Sequence, residues 1–381
     1  MIDVIELIEK ASQWDAEGLA YAVATLVSVN GSSYRGPGAR MLISAQGQMV
    51  GAISGGCLEG DVAEWAIKVL NGEPPRLLTY DTSDEELVWG LGLGCGGTIR
   101  ALVEAKPQSG ELNPLHFLDD CLSHGEPGVL ATVFRVEDNG SILMGSKLTL
   151  KADGPVQTNL PQGPGRELLS QQARAMMAQI HGDPRFPDRG EERILRLPNE
   201  SIEVLMEPVL PPIKLFVVGA GYDARPLVRL AREFGYHITL IDHRPAYAQQ
   251  SYFPEAHQIV IGEPEEIRKK IQHQQRSAVL LMTHNYARDL AYLKQFLPWQ
   301  PLYLGLLGPR HRTDRILARM TEQGCDTGPA QTSVLFSPVG LDIGAETPEE
   351  IALSILAEIK AVLNGRDGGR LRDRKGAIHD R

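Results

Sequence analysis

Two cysteines in the first quarter of the chain lie inside runs of glycine. Cys57 occurs in ISGGCLEGD (53–61) and Cys95 in GLGCGG (92–97). Glycine allows positive φ and close approach of a ligand, and the exposed N–H groups of such turns form anion-binding concavities. A thiolate is a soft ligand that suits a soft metal or sulfur chemistry. The predicted cofactor site therefore includes Gly55, Gly56, Cys57, Cys95 and Gly96.

Two charged residues accompany the first cysteine loop. Glu59 would lie in the first turn of a predicted helix, whose N-terminal dipole favours an anion. Arg40 closes the loop GSSYRGPGAR (31–40), and an arginine on a Gly-rich loop suits phosphate. The structural alternatives are a buried apolar cysteine, a capping acid and an ordinary solvated loop. We add Arg40 and Glu59 to the predicted cofactor site.

A second glycine motif begins the last part of the chain. Residues 214–242 read as a strand, a glycine turn, a helix and a second strand that ends at Asp242. Gly219 and Gly221 fit the G-x-G-x-x-A fingerprint of dinucleotide-binding folds, and the acid stands where a ribose hydroxyl is bound. The motif predicts a Rossmann-like domain with NAD(P) as an alternative cofactor. Because Arg244 could bind a 2′-phosphate, the motif does not distinguish NAD from NADP.

Later strand ends carry further polar residues. In doubly wound sheets, ligands bind in the crevice at the carboxyl ends of the strands. His284 follows one predicted strand, Arg310 follows the next, and Asp342 lies in the segment after the last. We include these three residues in the predicted cofactor site. A helix-capping or solvated histidine is the structural alternative for His284.

The elements that must position the cysteine loops show an internal duplication. A shift of 107 residues lays GARMLISAQG (38–47) over GSKLTLKADG (145–154), and a shift of 103 lays TIRALVEA (98–105) over SIEVLMEP (201–208). The copies share apolar strand positions but not the glycine–cysteine loops. Turn formation alone therefore does not explain those loops, and the first copy carries something beyond scaffold.

These patterns predict an α/β protein. A mixed α+β N-terminal domain (1–207) has repeats at about 1–106 and 107–207, and a Pro-rich linker (208–212) follows. A Rossmann-like, doubly wound parallel sheet then spans 213–364, with a helix after each of its first five strands and a disordered tail at 365–381. Thr347 and Glu350 predict a capping box on its last long helix.

Composition excludes several classes of protein. The 381-residue chain has a net charge of −10, which argues against nucleic acid and anionic membranes as partners. Four cysteines do not make a disulfide framework. The N-terminal segment lacks the basic start and cleavage site of a signal peptide, so we expect a cytoplasmic protein.

Several motifs together resemble the xanthine dehydrogenase accessory family of the XdhC/CoxI type. They occur in order over residues 15–365: GPGARMLI (36–43), GAISGGCLE (51–59), GCGG (94–97), VVGAGYDARPL (217–227), LIDHRP (240–245), LLGPRHRT (306–313) and SPVGLDIGAETPEEIALSILAEI (337–359). The resemblance implies a chaperone that binds molybdenum cofactor (molybdopterin), protects it during sulfuration and delivers it to an apo-enzyme. It implies a cysteine desulfurase and a xanthine dehydrogenase-like enzyme as partners.

Further expectations concern the two thiols, the oligomeric state and an alternative function. The resemblance implies that the thiols of Cys57 and Cys95 contact the molybdenum or its sulfur. A homodimer is the default oligomeric state, because two-fold dimers are the commonest assemblies. The alternative function is an NAD(P)-dependent oxidoreductase with Asp242 on the ribose and His284 near the substrate. The resemblance favours a cofactor chaperone without turnover over that enzyme.

Overall fold

The computed structural model describes residues 2–31, 33–81, 97–108, 110–137, 140–198, 200–272, 274 and 276–375. The chain divides into two units. The first comprises the residues up to Pro211 together with Arg374 and Lys375 of the described tail, and the second runs Pro212–Asp373. Cys95 and Gly96 lie outside the described residues, as does the last part of the predicted tail, 376–381. The described part of that tail contains a 3-10 turn, Leu371–Asp373.

The first unit consists of two copies of one helix-and-sheet motif. The first copy contains α1 (Ile2–Ala16), β1 (Tyr21–Gly31), β2 (Arg40–Ser44), β3 (Met49–Gly51), α2 (Glu59–Leu70), β4 (Arg76–Asp81) and β5 (Gly97–Ala105). The second contains α3 (Pro114–His124), β6 (Gly128–Glu137), β7 (Lys147–Lys151), β8 (Gln157–Thr158), α4 (Pro164–Gly182), β9 (Glu191–Arg196) and β10 (Ser201–Val209). The sheets are antiparallel, with orders β3-β2-β1-β5-β4 and β8-β7-β6-β10-β9. The two copies have the same strand order, as a duplication requires.

Apolar side chains also follow the duplication. Each sheet packs against its own helix, α2 in the first copy and α4 in the second. Helices α1 and α3 share a further core. A small buried cluster joins the copies. Its four residues correspond in pairs under the duplication: Val27 is equivalent to Phe134, and Leu102 to Leu205. Burial of these residues stabilises the two copies as one unit.

The sequence patterns missed three of the four edge strands of the first unit, β4, β8 and β9. All three are short, and along β9 exposed and half-buried positions predominate, with Leu195 alone buried. Edge strands need few apolar residues because one side of the ladder is unpaired. Because these strands contain few consecutive apolar residues, a search for apolar runs did not find them.

The second unit is a parallel sheet of order β13-β12-β11-β14-β15-β16. Its elements are β11 (Lys214–Val218), α5 (Ala224–Glu233), β12 (His237–Asp242), β13 (Gln258–Ile261), α6 (Pro264–Lys270), β14 (Ser277–Leu281), α7 (Tyr286–Phe296), β15 (Tyr303–Leu306), α8 (Arg310–Glu322), α9 (Pro329–Thr332), β16 (Leu335–Phe336) and α10 (Pro348–Leu363). Alternate residues of β11 face two cores: Leu215 and Val217 pack with α5 and α10, Phe216 and Val218 with α7 and α8. This order is that of a Rossmann fold, as predicted.

One predicted helix is absent. Residues 243–257, between β12 and β13, form turns and no helix. Pro245 and Pro254 lack the N–H groups that a helix interior requires. The segment nevertheless buries Ala248, Phe253 and Ala256 against α5 and α10. It covers the sheet as the expected helix would have done. In the described part of the chain, no helix is long and apolar enough to cross a membrane.

The capping box on α10 gives a stability prediction. Thr347 accepts the Glu350 N–H, and the Glu350 carboxylate accepts the Thr347 N–H at 3.0 Å. Because Thr347→Ala leaves a helix N–H without its partner, we expect the free energy of unfolding to fall by about 1 kcal/mol. Urea denaturation of the full chain measures this. Glu349→Gln, beside the box, is the control, and an equal loss there would contradict the capping role.

Candidate functional site

The loop that carries Cys57 is fixed at both ends and open in the middle. Glu59 accepts the Ser54 N–H at 2.8 Å, the Ser54 hydroxyl at 2.6 Å and the Leu58 N–H at 3.1 Å. Between these anchors, Gly56 has φ +106°, where a side chain would strain the backbone. Gly55, Gly56 and Cys57 are exposed. The bonds hold an accessible thiol and two bare peptides immediately before α2.

Glu59 therefore has a structural part in this loop. Its side chain is buried, and burial acts to raise the pKa of its carboxyl. The bonds from Ser54 and from the backbone outweigh burial and hold that pKa below its usual range. The ionised carboxylate holds the loop from its buried side. Any effect of Glu59 on a ligand of Cys57 is therefore indirect, through the shape of the loop.

A second loop lies beside the first. The Tyr34 ring is 74% exposed, and its Cγ lies 3.9 Å from the place where a Cβ on Gly55 would stand. The neighbouring Ser33 hydroxyl is buried and has no hydrogen-bond partner among the residues that the structure describes. Buried hydroxyl groups are normally paired, so this one is an available donor and acceptor. The sequence patterns did not single out Ser33 or Tyr34, although both belong to the loop 31–40.

Arg40 belongs to the scaffold rather than to this surface. Its Nη1 and Nη2 donate to the two carboxylate oxygens of Glu207 at 2.9 and 2.6 Å, and both side chains are buried. Lys147 of the second copy and Glu104 of the first form the equivalent pair at 2.7 Å, with the roles of the copies exchanged. The predicted phosphate contact would require Arg40 to leave Glu207 uncompensated, so the geometry does not favour it.

The glycine turn after β11 has the geometry of the predicted fingerprint. Gly219 has φ +116°, and a Cβ there would lie 2.5 Å from the Met282 carbonyl oxygen after β14. Glycine is thus required where the two neighbouring loops touch. Gly221 lies in the same turn, just before α5.

Asp242 has its hydrogen-bonding capacity filled by the protein. Its carboxylate accepts the Ala220 N–H at 2.7 Å, the Arg244 N–H at 2.8 Å and the Arg244 Nε and Nη2 at 3.0 and 2.9 Å. Burial acts to raise the pKa of Asp242, but the bonds from Arg244 and Ala220 hold it low. The side chain is 2% exposed. A ribose contact would have to displace these donors.

The turn is also unfavourable for pyrophosphate. Asp223 Oδ1 occupies the space that a Cβ on Gly221 would need. In dinucleotide-binding folds, this glycine lets the pyrophosphate approach. A carboxylate there repels a phosphate, and Asp242 is unavailable to the ribose. The residues present do not fit NAD(P) bound in the usual manner.

His284 is held in an unusual position at the end of β14. Its φ is +57°, one of two positive values among side-chain-bearing residues that the structure describes. Its Nε2 lies 2.7 Å from Asp223 Oδ2, and its side chain is 60% exposed. The structure thus brings the predicted His284 together with Asp223, which the sequence patterns missed. An acid just after the second glycine of the fingerprint was the available signal.

The other two predicted residues, Arg310 and Asp342, follow later strands of the same sheet. Arg310 begins α8 and is exposed, and Asp342 is exposed in the segment between β16 and α10. The next arginine, Arg312, is fixed instead, since its Nη2 donates to buried Asp289 at 2.5 Å. Both predicted contacts stay predictions.

A cavity of about 340 Å³ lies elsewhere, beside α3 in the second copy of the first unit. Its lining includes His116, Asp120 and Lys151 but none of the predicted site residues. Among described residues, no group of three or more His, Cys, Asp and Glu is placed to hold a metal ion. Any metal at Cys57 would need ligands from elsewhere.

Comparison with known proteins gives consistent matches over most of the chain. The XdhC Rossmann domain matches residues 215–359, and the XdhC and CoxI family matches residues 14–81. A Bacillus subtilis protein described as a probable xanthine dehydrogenase subunit is 32% identical over 338 residues, which cover 88% of this chain and 91% of that protein. The Escherichia coli molybdenum cofactor insertion chaperone PaoD is 24% identical over 350 residues, 91% of this chain and 84% of PaoD. A solved structure described as a xanthine dehydrogenase from Bacillus halodurans has a TM-score of 0.72 at 28% identity, covering 94% of this chain and 96% of that one.

Proposed function

Because the chain belongs to the XdhC and CoxI family, we propose that it is an accessory factor that binds molybdenum cofactor and inserts it into a xanthine dehydrogenase-like molybdenum hydroxylase. The names of the Bacillus subtilis relative and of PaoD support a role in maturation of such an enzyme. The observation that carries the proposal is the exposed Cys57 thiol on a loop pinned by Ser54 and Glu59. A soft thiolate on bare backbone suits a sulfur-rich metal centre.

The residues around Cys57 have separate parts in this proposal. The Cys57 thiolate contacts the molybdenum or its sulfur. The peptide groups of Gly55 and Gly56 are open to an anionic group of the cofactor. Tyr34 borders the same loop, and the hydroxyl of Ser33, next to it in sequence, is buried without a hydrogen-bond partner among the described residues. When bound, the cofactor supplies the molybdenum centre; the chain supplies the binding surface.

Sulfuration of the cofactor and assembly of the chain complete the proposed function. The bound cofactor receives its terminal sulfur from a cysteine desulfurase before delivery, in the cytoplasm. Cys95 and Gly96 complete the site, and two copies of the chain form a homodimer. The oxidoreductase alternative is weaker than the chaperone, because Asp242 and Asp223 do not fit NAD(P).

The first experiment tests cofactor binding and delivery together. The chain is co-expressed with a functioning cofactor pathway and purified, and its molybdenum and oxidised-pterin fluorescence are measured. The protein is then mixed with apo-dehydrogenase and the recovered activity is followed. Near-stoichiometric molybdenum and pterin with recovery of activity are expected. Absence of both, with tight binding of NADH, would falsify the proposal.

Cys57→Ser tests the thiol itself. We expect at least a tenfold loss of retained molybdenum and of client activation, because the hydroxyl is a poor ligand for a soft metal. Thermal unfolding should stay unchanged, since the thiol is exposed. Cys325→Ser, at a half-buried cysteine of the second unit, is the control for the loss of a thiol. Equal retention and activation by Cys57→Ser and the control would remove Cys57 from the site.

A further inference from the structure

The cavity beside α3 lies at a place where the first copy has a packed core. The shift of 107 residues lays α1 over α3 and the hairpin β2–β3 over β7–β8. Gly18 and Gly125, which follow the two helices with φ of +69° and +67°, are equivalent under the same shift. The two copies can therefore be compared residue by residue around the cavity.

In the first copy, apolar side chains fill this place. Leu42 on β2 pairs with Val50 on β3. Leu42 belongs to the core of α1 and α3, and Val50 and Val4 pack against that core. Helix α3 begins at Pro114, the equivalent of Leu7. The second copy therefore lacks the helical turn that carries Val4 in the first.

In the second copy, the three equivalent residues are polar. Thr149 on β7 pairs with Gln157 on β8 in the same register, and Glu111 stands where the first copy has Val4. All three line the cavity. Features that differ between the copies are additions to the scaffold, as the Cys57 loop is in the first copy. The second copy thus has a polar-lined space in place of an apolar core.

Neutral hydrogen-bonding groups border that space. Within the described ranges, the Thr149 hydroxyl and the side-chain amide of Gln157 make no hydrogen bond. Asn113 accepts the Leu115 N–H through Oδ1 at 2.9 Å, which leaves its NH2 group to donate elsewhere. Buried polar groups are normally hydrogen-bonded, and Thr149 is only 2% exposed. The cavity therefore presents donors and acceptors that a ligand can pair.

The remaining lining residues restrict the class of ligand. Lys151 is paired with Asp120, so its charge is compensated. Glu111 is exposed and adds a negative charge, which repels anions. Phe117 and Leu112 supply apolar contact. A ligand that fits has an apolar face, no negative charge, and hydrogen-bond donors and acceptors together.

We propose that the cavity binds an uncharged heteroaromatic molecule of one or two rings, with hydrogen-bond donors and acceptors on its edge. The volume of about 340 Å³ lies at the lower end of the usual range for ligand sites, about 300–1,000 Å³, and suits a molecule of this size. An organic cation has donors only and would leave the NH2 groups of Asn113 and Gln157 unpaired. The site goes beyond insertion of molybdenum cofactor, because it shares no residue with the Cys57 loop.

The experiment uses the full wild-type chain and the free bases adenine, hypoxanthine and thymine as uncharged rings. Orotate is the anionic comparison and benzamidine the cationic one. Saturation-transfer NMR detects binding, and calorimetry gives the Kd. Thr149→Leu with Gln157→Val restores the residues of the first copy and replaces the polar lining by apolar side chains. Gln171→Val, at an exposed glutamine of α4, is the control.

We expect at least one of the three bases to bind with a Kd of about 1 mM or lower, at least tenfold more tightly than orotate or benzamidine. The double variant should lose at least tenfold in affinity, whereas Gln171→Val should not. Binding of no base at that level, equal binding of a charged ring, or unchanged binding by the double variant overturns the inference. If the double variant does not fold, Gln157→Val alone takes its place with the same expected loss.

Activation of apo-dehydrogenase separates this inference from the proposed function. The double variant should activate as well as the wild-type chain, because the Cys57 loop is unchanged. Loss of activation by a folded double variant would contradict a site that is separate from the Cys57 loop. If no base binds but the wild-type chain still activates, the inference fails and the proposed function stands.

Discussion

Replacing Arg40 by methionine is expected to lower the free energy of unfolding by about 3–5 kcal/mol, because it leaves the Glu207 carboxylate buried without its partner. Both Nη groups of Arg40 bind that carboxylate, and the two side chains are 3% and 8% exposed. Glu207 lies on β10 of the second copy, whereas Arg40 begins β2 of the first. The loss therefore falls on the junction between the copies. Urea denaturation of the full chain measures it.

A double replacement separates the pair from its members. Arg40→Met with Glu207→Leu removes both charges, and buried pairs replaced by apolar residues are often near neutral. We expect the double variant to recover most of the stability lost by Arg40→Met. If the double variant is as unstable as the single one, packing at this position matters more than the uncompensated charge. Unchanged stability in Arg40→Met would show that the pair is not buried in solution.

The duplication also carries a signal about Arg40. Arg40 and Lys147 are equivalent by the shift of 107, and Glu104 and Glu207 by the shift of 103. Features shared by both copies belong to the scaffold, as the shared apolar strands do. A base and an acid that recur in both copies therefore indicate a structural pair. What the pattern could not show is the pairing across 167 residues, which depends on how the sheets pack.

The Rossmann fold was more predictable than its ligand. Apolar strands alternating with helices and the spacing of Gly219 and Gly221 predicted the parallel sheet, because local backbone geometry determines which residues these positions need. Which ligand binds depends on the directions in which the side chains point. Arg244 follows Asp242 by two residues and suggested a 2′-phosphate, but it folds back onto the acid. Which partner Arg244 binds depends on tertiary contacts, and the spacing of residues along the sequence does not specify those contacts.

The sequence predicted the exposure of the Cys57 loop but not the contacts of its acid. Glycines beside a cysteine in one copy but not the other predicted a thiol open to a ligand, and Cys57 is exposed. The same pattern placed Glu59 among ligand contacts, whereas it binds Ser54 and Leu58. An acid in the first turn of a helix has nearby backbone donors, which compete with any external ligand. Proximity in sequence could not decide between them.

Gly219→Ala is expected to be the most damaging single change in the second unit, at about 3–5 kcal/mol of unfolding free energy. Two separate costs add. The φ of +116° is strained for a side-chain-bearing residue, and the new Cβ would lie 2.5 Å from the Met282 oxygen and 2.8 Å from its carbonyl carbon. The Met282 backbone cannot move freely, because its N–H donates to the Val218 oxygen at 2.8 Å.

Gly324→Ala isolates the first of these costs. Gly324 also has positive φ, +78°, but a Cβ there meets nothing within 4 Å. We expect a loss of about 1–2 kcal/mol from backbone strain alone. Thermal and urea unfolding of both variants, compared with the wild-type chain, give the difference due to the clash. Equal losses would mean that the loops after β11 and β14 can separate, and the contact that places Asp223 beside His284 would then be a loose one.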